Sequence, residues 1–200
     1  VPDSREERKL MDIIAEPQLI RLATERLMLR PAFGGDALQI QAYNLSNREH
    51  LQPWQPIRPA GFFDLDAIIR RISYLEHERL AGRGLHLLIC DRENGVMIGE
   101  CNFSNIVLGA FHACHLGYSL ALQAQGQGLM TEALGRAIAY VFEDLQLHRI
   151  MANYRPENAR SARVLAALGF EREGFARAYL KINGQWADHV LTSLINPAQC

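Results

Sequence analysis

Gln123-Ala124-Gln125-Gly126-Gln127-Gly128-Leu129-Met130-Thr131 joins a strand-like run, Ala110 to Leu122, to a strongly helical one, Leu129 to Leu145. Two glycines one residue apart, where a helix begins, let the backbone pass close to a bulky anion. The first N–H groups of a helix have no acceptor within it, and the helix dipole adds partial positive charge there. Such a loop suits a phosphate or pyrophosphate. The other use of a glycine pair at this place is a plain tight turn. No Lys-Ser/Thr follows the glycines, as in a nucleotide-hydrolysing loop, and no third glycine completes a dinucleotide fingerprint. What remains is Gln-x-x-Gly-x-Gly.

The flanking pattern alternates strands and helices. Upstream, Leu85 to Cys90 ends in Asp91-Arg92-Glu93-Asn94-Gly95, a hairpin signal, and leads into Val96 to Ile106 and then Ala110 to Leu122. Before them, a helix fits Asp36 to Ser46, and another fits Asp64 to Ala81 with Leu65, Ile68, Ile69, Ile72 and Leu75 on one stripe. Ile20 to Arg30 reads as one strand, and the prolines of His50 to Pro59 predict an irregular loop around Trp54. Downstream lie a short strand, His148 to Tyr154, and an amphipathic helix, Asn158 to Leu168, stopped by Gly169. Phe170 to Ile182 and Trp186 to Ile195 flank Asn183-Gly184, a type I′ turn signal. This order predicts an α/β (α+β) fold: a mixed, mainly antiparallel twisted sheet of about seven strands flanked by about four helices.

The 200 residues, 48% of them hydrophobic, suit a single domain over 17–200, after a charged, flexible lead-in at 1–16 that contains Arg5-Glu6-Glu7-Arg8-Lys9. Lys plus Arg number 21 against 22 Asp plus Glu, which argues against an extended nucleic-acid surface. Cys90, Cys101, Cys114 and Cys200 show no metal-binding spacing, and the first three sit in apolar runs as reduced thiols would. No secretory or membrane-spanning run appears, so the expectation is a soluble cytoplasmic protein with no membrane partner.

The glycine loop resembles the coenzyme A pyrophosphate loop of the GNAT superfamily of N-acetyltransferases, and the element order is that superfamily's. Further blocks are similar to its RimJ/RimL-type ribosomal-protein acetyltransferases: Trp54 among its prolines, Asn102-Phe103-Ser104-Asn105, Phe111-His112-Ala113-Cys114, Leu116-Gly117-Tyr118-Ser119, His148 to Tyr154, and Gly184 to Leu191. The resemblance spans about Leu19 to Asn196. It implies an acetyl-CoA-dependent enzyme, without a metal, that acetylates the N-terminal α-amine, alanine by expectation, of a ribosomal protein. Contact with a ribosome particle and a monomeric or weakly dimeric state go with that expectation. The alternatives are a GNAT acting on a small amine (an antibiotic, a polyamine or a toxin), a ribosome-assembly factor with secondary activity, and a binder of another phosphate ligand.

For the family's chemistry, Gln127, Gly128, Leu129, Met130 and Thr131 would bind pyrophosphate, with Gln123 and Gly126 shaping the loop. The strand Leu116-Gly117-Tyr118-Ser119-Leu120 would splay from its neighbour, so that Tyr118, Ser119 and Leu120 meet the pantetheine arm; Gly117 suits either a bulge there or relief of packing. Asn158-Ala159-Arg160-Ser161 resembles the Asn-x-x-Ser that opens the family's fourth helix. Asn158 would contact pantetheine, cap the helix, or both. Ser161 would protonate the departing thiolate, directly or through water, with Tyr154 as rival donor, and Arg160 and Arg163 would meet the 3′-phosphate of coenzyme A or only solvent.

The candidate bases are Glu100, in a row with Asn102 and Ser104 on one strand face, and His112 or His115, which the alternation assigns to opposite faces. Trp54, Asn102 and His112 are candidate acceptor contacts, with entry expected between the proline-rich loop and the final hairpin. Deprotonating a lysine amine at pH 7 costs about 4.6 kcal/mol but an α-amine only about 1–1.4 kcal/mol, so an α-amine acceptor demands little of a base.

Overall fold

The computed structural model describes residues 20–199; the charged lead-in at 1–16, the first residues of the expected domain and Cys200 lie outside them. Eight strands form one sheet in the order β1-β2-β3-β4-β5-β6-β8-β7. They are β1 Leu22–Ala23, β2 Leu27–Arg30, β3 Leu85–Asp91, β4 Met97–Val107, β5 Ala113–Leu120, β6 Arg149–Tyr154, β7 Glu171–Ile182 and β8 Gln185–Ile195. Among the described residues five α-helices accompany them: α1 Ala37–Ser46, α2 Arg48–Leu51, α3 Leu65–Leu80, α4 Leu129–Glu143 and α5 Ala159–Ala167. Every neighbouring pair is antiparallel except β5 and β6. This is the mixed α/β architecture that the periodicity predicts.

The extra strand and helix have local causes. The single strand expected over Ile20 to Arg30 is broken at Thr24, whose amide donates to the Leu27 carbonyl (2.9 Å) while its Oγ1 accepts from the Leu27 amide (2.9 Å). A side chain that satisfies the backbone of a turn competes directly with the strand ladder. In the proline-rich segment, α2 and a 3-10 turn at Gln52–Trp54 precede the irregular stretch, with Pro53 at the start of the turn, where its missing N–H costs nothing. On α3, Ile68 and Ile72 are buried but Ile69 is exposed, so the apolar stripe is narrower than its spacing suggests.

Two layers of helix cover the sheet. Tyr43 of α1 bonds Ser119 on one face of β5, and α1 packs on α3 there. On the other face Tyr118 bonds Ser161 of α5, which packs on α4. Leu87, Leu88 and Ile89 of β3 are fully buried, as expected for a strand covered on both sides. Asn183 and Gly184 both hold positive φ (46° and 80°), giving the type I′ turn their dipeptide favours. Among the described residues, no helix is long and apolar enough to cross a membrane.

A buried carboxylate paired with a half-buried guanidinium fixes the entry to α1. Asp36 accepts from Arg30 Nη1 (2.6 Å) and Nη2 (2.7 Å), from the Phe33 amide (2.9 Å) and from Gln39. Burial alone would raise its pKa; the hydrogen bonds from Arg30, Phe33 and Gln39, with the charge of Arg30, outweigh it and hold Asp36 below the ordinary aspartate value. Asp36→Ala leaves a half-buried guanidinium without its carboxylate and is expected to cost ~2 kcal/mol in urea unfolding at pH 7. A depressed carboxylate pKa stabilises the fold above its unfolded value, and that contribution is lost as pH falls through the lower folded one. The gap between variant and wild type should therefore narrow on acidification. Equal urea midpoints at pH 7 would show that the pair contributes nothing.

Candidate active site

The glycine loop leaves a 3-10 turn at Leu122–Ala124 and enters α4 through two left-handed residues, Gly126 and Gly128, both at φ 75°. Gly128 is the N-cap of α4 and no side chain caps the helix, so its first-turn N–H groups keep their hydrogen-bonding capacity for an anion. A Cβ on Gly126 would meet nothing within 4 Å. The loop is braced from behind. Arg26 Nη1 donates to the Gln127 carbonyl (3.0 Å), its Nε donates to Glu132 Oε2 (2.7 Å), and Gln127 Nε2 donates to the Gln123 carbonyl (3.0 Å). Gln123 and the Gln127 side chain thus shape the loop, whereas Gly126, Gly128, Leu129, Met130 and Thr131 line a cavity.

That cavity runs on past Tyr118, Ser119 and Leu120 of β5 to Asn158, Ser161 and Arg163 around the start of α5. It exists because β5 and β6 pair only over Ala113–His115 with Arg149–Met151 and then part, while β6 continues on β8 and β5 continues on β4. One backbone edge of β5 beyond His115 therefore has no strand beside it among the described residues. Donors and acceptors along such an edge suit an amide-bearing arm lying as an extra strand. The parting of the strands needs no bulge at Gly117. Asn102 pairs with Gly117 in regular register, and a Cβ on Gly117 would meet nothing within 4 Å. Neither a bulge nor packing relief accounts for this glycine; it leaves open space on the floor of a second cavity.

The second cavity adjoins the first and shares Trp54, Gln55, Tyr118, Ser119, Asn158 and Ser161 with it. Asn158 caps α5, its Oδ1 accepting from the Ser161 amide (3.0 Å), which leaves its NH2 group for a ligand. Cap and cofactor contact are thus compatible at one residue. Ser161 Oγ lies 2.7 Å from Tyr118 Oη. Burial pushes the Tyr118 phenol up to about 12, against the opposing hydrogen bond to Ser161, so this hydroxyl pair stays protonated at neutral pH. Tyr154 lines the second cavity but makes no hydrogen bond to Ser161 among the described residues.

Glu100 and Asn102 stand on the floor of the second cavity, on the face that strand alternation predicts. Glu100 Oε2 lies 2.9 Å from His86 Nε2, and Glu100 Oε1 accepts from Ser119 Oγ (3.4 Å), which in turn meets Tyr43 Oη (2.8 Å). Burial would raise the Glu100 pKa; the hydrogen bond and charge of His86 and the charges of Arg71 and Arg58 outweigh it and hold Glu100 below the ordinary glutamate range. The group is a carboxylate at every pH at which an amine is acetylated.

His112 is not brought to either cavity. It lies before β5 at φ 46°, with Nδ1 3.2 Å from the Gly109 carbonyl. The Gly109 turn consumes the residues assigned to the start of that strand, so neither the acceptor contact nor the base role expected of His112 has a structural footing. Trp54 stands in the wall shared by the two cavities, with the Arg155 guanidinium 5.7 Å from its ring centroid. The hairpin tip is tied to the proline-rich loop: the Asn183 amide donates to the Gln55 carbonyl (2.9 Å), and Gln52 Nε2 donates to Asn183 Oδ1 (3.3 Å). These contacts bridge the loop and the hairpin tip, and Trp186 lies exposed outside both cavities.

Sequence reasoning missed Arg58, Arg71, His86, Asn153 and His189, all of which line the second cavity. Only His86 carried a local signal, as a polar residue inside an apolar strand.

The fold that carries this arrangement recurs in known proteins. Residues 26–171 match the family model of the acetyltransferase (GNAT) domain. The chain is 44% identical over 178 residues to the ribosomal protein uS5-alanine N-acetyltransferase of Escherichia coli (strain K12), covering 89% of this chain and 92% of that one. The ribosomal-protein-S5-alanine acetyltransferase from Vibrio fischeri superposes with a TM-score of 0.85 at 41% identity, over 89% of this chain and 97% of that chain. Mycobacterium smegmatis RimJ, in complex with CoA-disulfide, does so with a TM-score of 0.81 at 33% identity, over 84% and 81%. With the matched region running from the β1–β2 turn to the start of β7, the chain belongs to the GNAT family of N-acetyltransferases.

Proposed function

We propose that the protein moves the acetyl group of acetyl-CoA to the N-terminal α-amine, alanine in first place, of a ribosomal protein, by direct attack with both substrates bound. The observation that carries this reading is the pair of adjoining cavities, one ending in an uncapped helix start and the other floored by an ionised carboxylate, with Tyr118 and Ser161 in their common wall. The 44% identity to an enzyme named for uS5-alanine supports the acceptor class. Such an enzyme works where ribosomes are, in the cytoplasm.

Acetyl-CoA, when bound, supplies the activated acetyl thioester. The N–H groups of Gly128 through Thr131 hold its pyrophosphate, with the Thr131 hydroxyl and Arg163 as further donors. The open edge of β5 at Tyr118 to Leu120 and the amide of Asn158 orient its arm. Ser161, hydrogen-bonded to Tyr118, offers a protonated hydroxyl to the departing sulfur.

Glu100 acts by charge rather than as a proton sink. Moving a proton from an α-ammonium with pKa about 7.7 to a carboxyl held below the ordinary glutamate range runs uphill. Glu100 therefore draws the amine into the cleft, and the proton leaves to water. Glu100→Gln is expected to lower kcat/KM by ~10-fold, mainly through KM for the acceptor, the cost of one charge-assisted hydrogen bond. The pH profile of kcat/KM should keep rising with the amine's own pKa in both proteins. A wild-type profile already flat across the amine's own pKa, with the rise appearing only in the variant, would mean that Glu100 takes the proton after all.

The reading itself is tested by release of free coenzyme A from acetyl-CoA. An Ala-starting ribosomal-protein peptide would be compared with spermidine, puromycin and a lysine peptide blocked at its N-terminus. Turnover confined to the Ala-starting peptide is the expected result. Turnover confined to a small amine would remove the ribosomal acceptor while keeping the family chemistry.

A further inference from the structure

The second cavity holds more positive charge than attack by an amine requires. Glu100 is the carboxylate among its described lining residues, whereas Arg58, from the irregular loop, and Arg71, from α3, both face into it. A third guanidinium, Arg155, is already engaged, lying 3.4 Å from Glu157 and donating to the Pro53 carbonyl. The other two are held by an aromatic ring rather than by anions. Arg58 Cζ lies 4.4 Å and Arg71 Cζ 4.3 Å from the centroid of Phe62.

Their donors are largely unused. Arg58 gives one hydrogen bond, from Nη2 to Gln55 Oε1 (2.9 Å), and Arg71 gives none among the described residues. In the same wall, Asn44 Nδ2 is buried with no partner among the described residues. Burial lowers the pKa of both arginines, with the charge of Glu100 opposing it. Partly desolvated guanidinium forks with free donors are matched by a carboxylate, which accepts two parallel hydrogen bonds from one fork.

We infer that Arg58 and Arg71, held on Phe62, form an anion subsite that binds an acidic side chain of the acceptor peptide, close behind the amine drawn in by Glu100. This rests on the proposed reading of the acceptor as a peptide N-terminus. Glu100 offsets one arginine, and the acceptor's own carboxylate offsets the other. The same charge balance disfavours a polyamine, which brings only like charge to this wall.

The test is a set of Ala-starting peptides with a single Glu at position two, three, four or five, each compared with its Gln counterpart. At one position the Glu peptide should show about tenfold higher kcat/KM, expressed in KM and shrinking at high salt. In Arg71→Met that acid-to-amide ratio should fall to about one, with Arg71→Lys retaining part of it. Arg58→Met, in an exposed loop, should reduce the ratio even if the helix substitution impairs folding. Equal kcat/KM for acid and amide at every position overturns the subsite, as does a ratio unmoved in both Met variants. If no Ala-starting peptide is acetylated, the ribosomal reading fails on its own. Calorimetric titration of the CoA-loaded protein with the same peptides then decides the subsite: tighter binding of an acid peptide upholds it, and equal binding overturns it.

Discussion

The double variant Ser161→Ala, Tyr118→Phe is expected to lower kcat by about 10²- to 10³-fold, the range of a lost general acid, with KM for acetyl-CoA changed little. The two hydroxyls are 2.7 Å apart where the two cavities meet, and they form one unit: whichever atom donates outward, the other supports it. Each single variant should therefore cost nearly as much as the double, because removing either breaks the same chain of donors. The polar contact itself accounts for about 1 kcal/mol of stability, so a thermal scan should find the variants folded. Full kcat in Ser161→Ala would transfer the role to another donor, with Tyr154 next in line.

Substitution of Gly128 is expected to weaken acetyl-CoA binding about 100-fold, or 2.7 kcal/mol. Two effects combine there and can be separated. Gly128 sits at φ 75° and ψ 0°, where a side chain costs about 1–2 kcal/mol, more for a β-branched one. A Cβ would find only Arg26 Nη2 at 3.7 Å, an ordinary contact, so the protein itself has room for it. What the added atoms obstruct is the approach of a bulky anion to the first N–H groups of α4. Gly128→Val should lose both affinity and stability, whereas Gly128→Asn, tolerant of positive φ, should keep stability yet still bind poorly in calorimetry. Wild-type affinity in the Asn variant would mean that the loop does not cradle the pyrophosphate.

Features set by neighbouring residues and features set by the whole fold divide by distance along the chain. Gln123 to Thr131, the Asn183-Gly184 hairpin and the Asn158 cap were legible because each depends on backbone geometry set by contiguous residues. Positive φ, a free first helical turn and an N-cap are local properties. The order of strands and helices followed from periodicity, which is local as well. The same locality explains the errors. Thr24 breaks a strand through its own hydroxyl, the Gly109 turn takes His112 out of β5, and Ile69 lies at the margin of a stripe whose width depends on what packs against it.

Of the second cavity, Trp54, Glu100 and Asn102 were legible in the sequence, but its pairings were not, since each of them crosses the fold. His86 meets Glu100 through the register of β3 on β4, and Tyr118 meets Ser161 through the docking of α5 beside a parted sheet. Arg58 and Arg71 meet because one phenyl ring receives a loop and a helix. A strand register or a helix docking is selected by the whole buried core, whose apolar contacts are nondirectional and summed over many residues. The chain thus announces its glycine loop in nine consecutive residues, while the wall of the second cavity exists only once the core has packed.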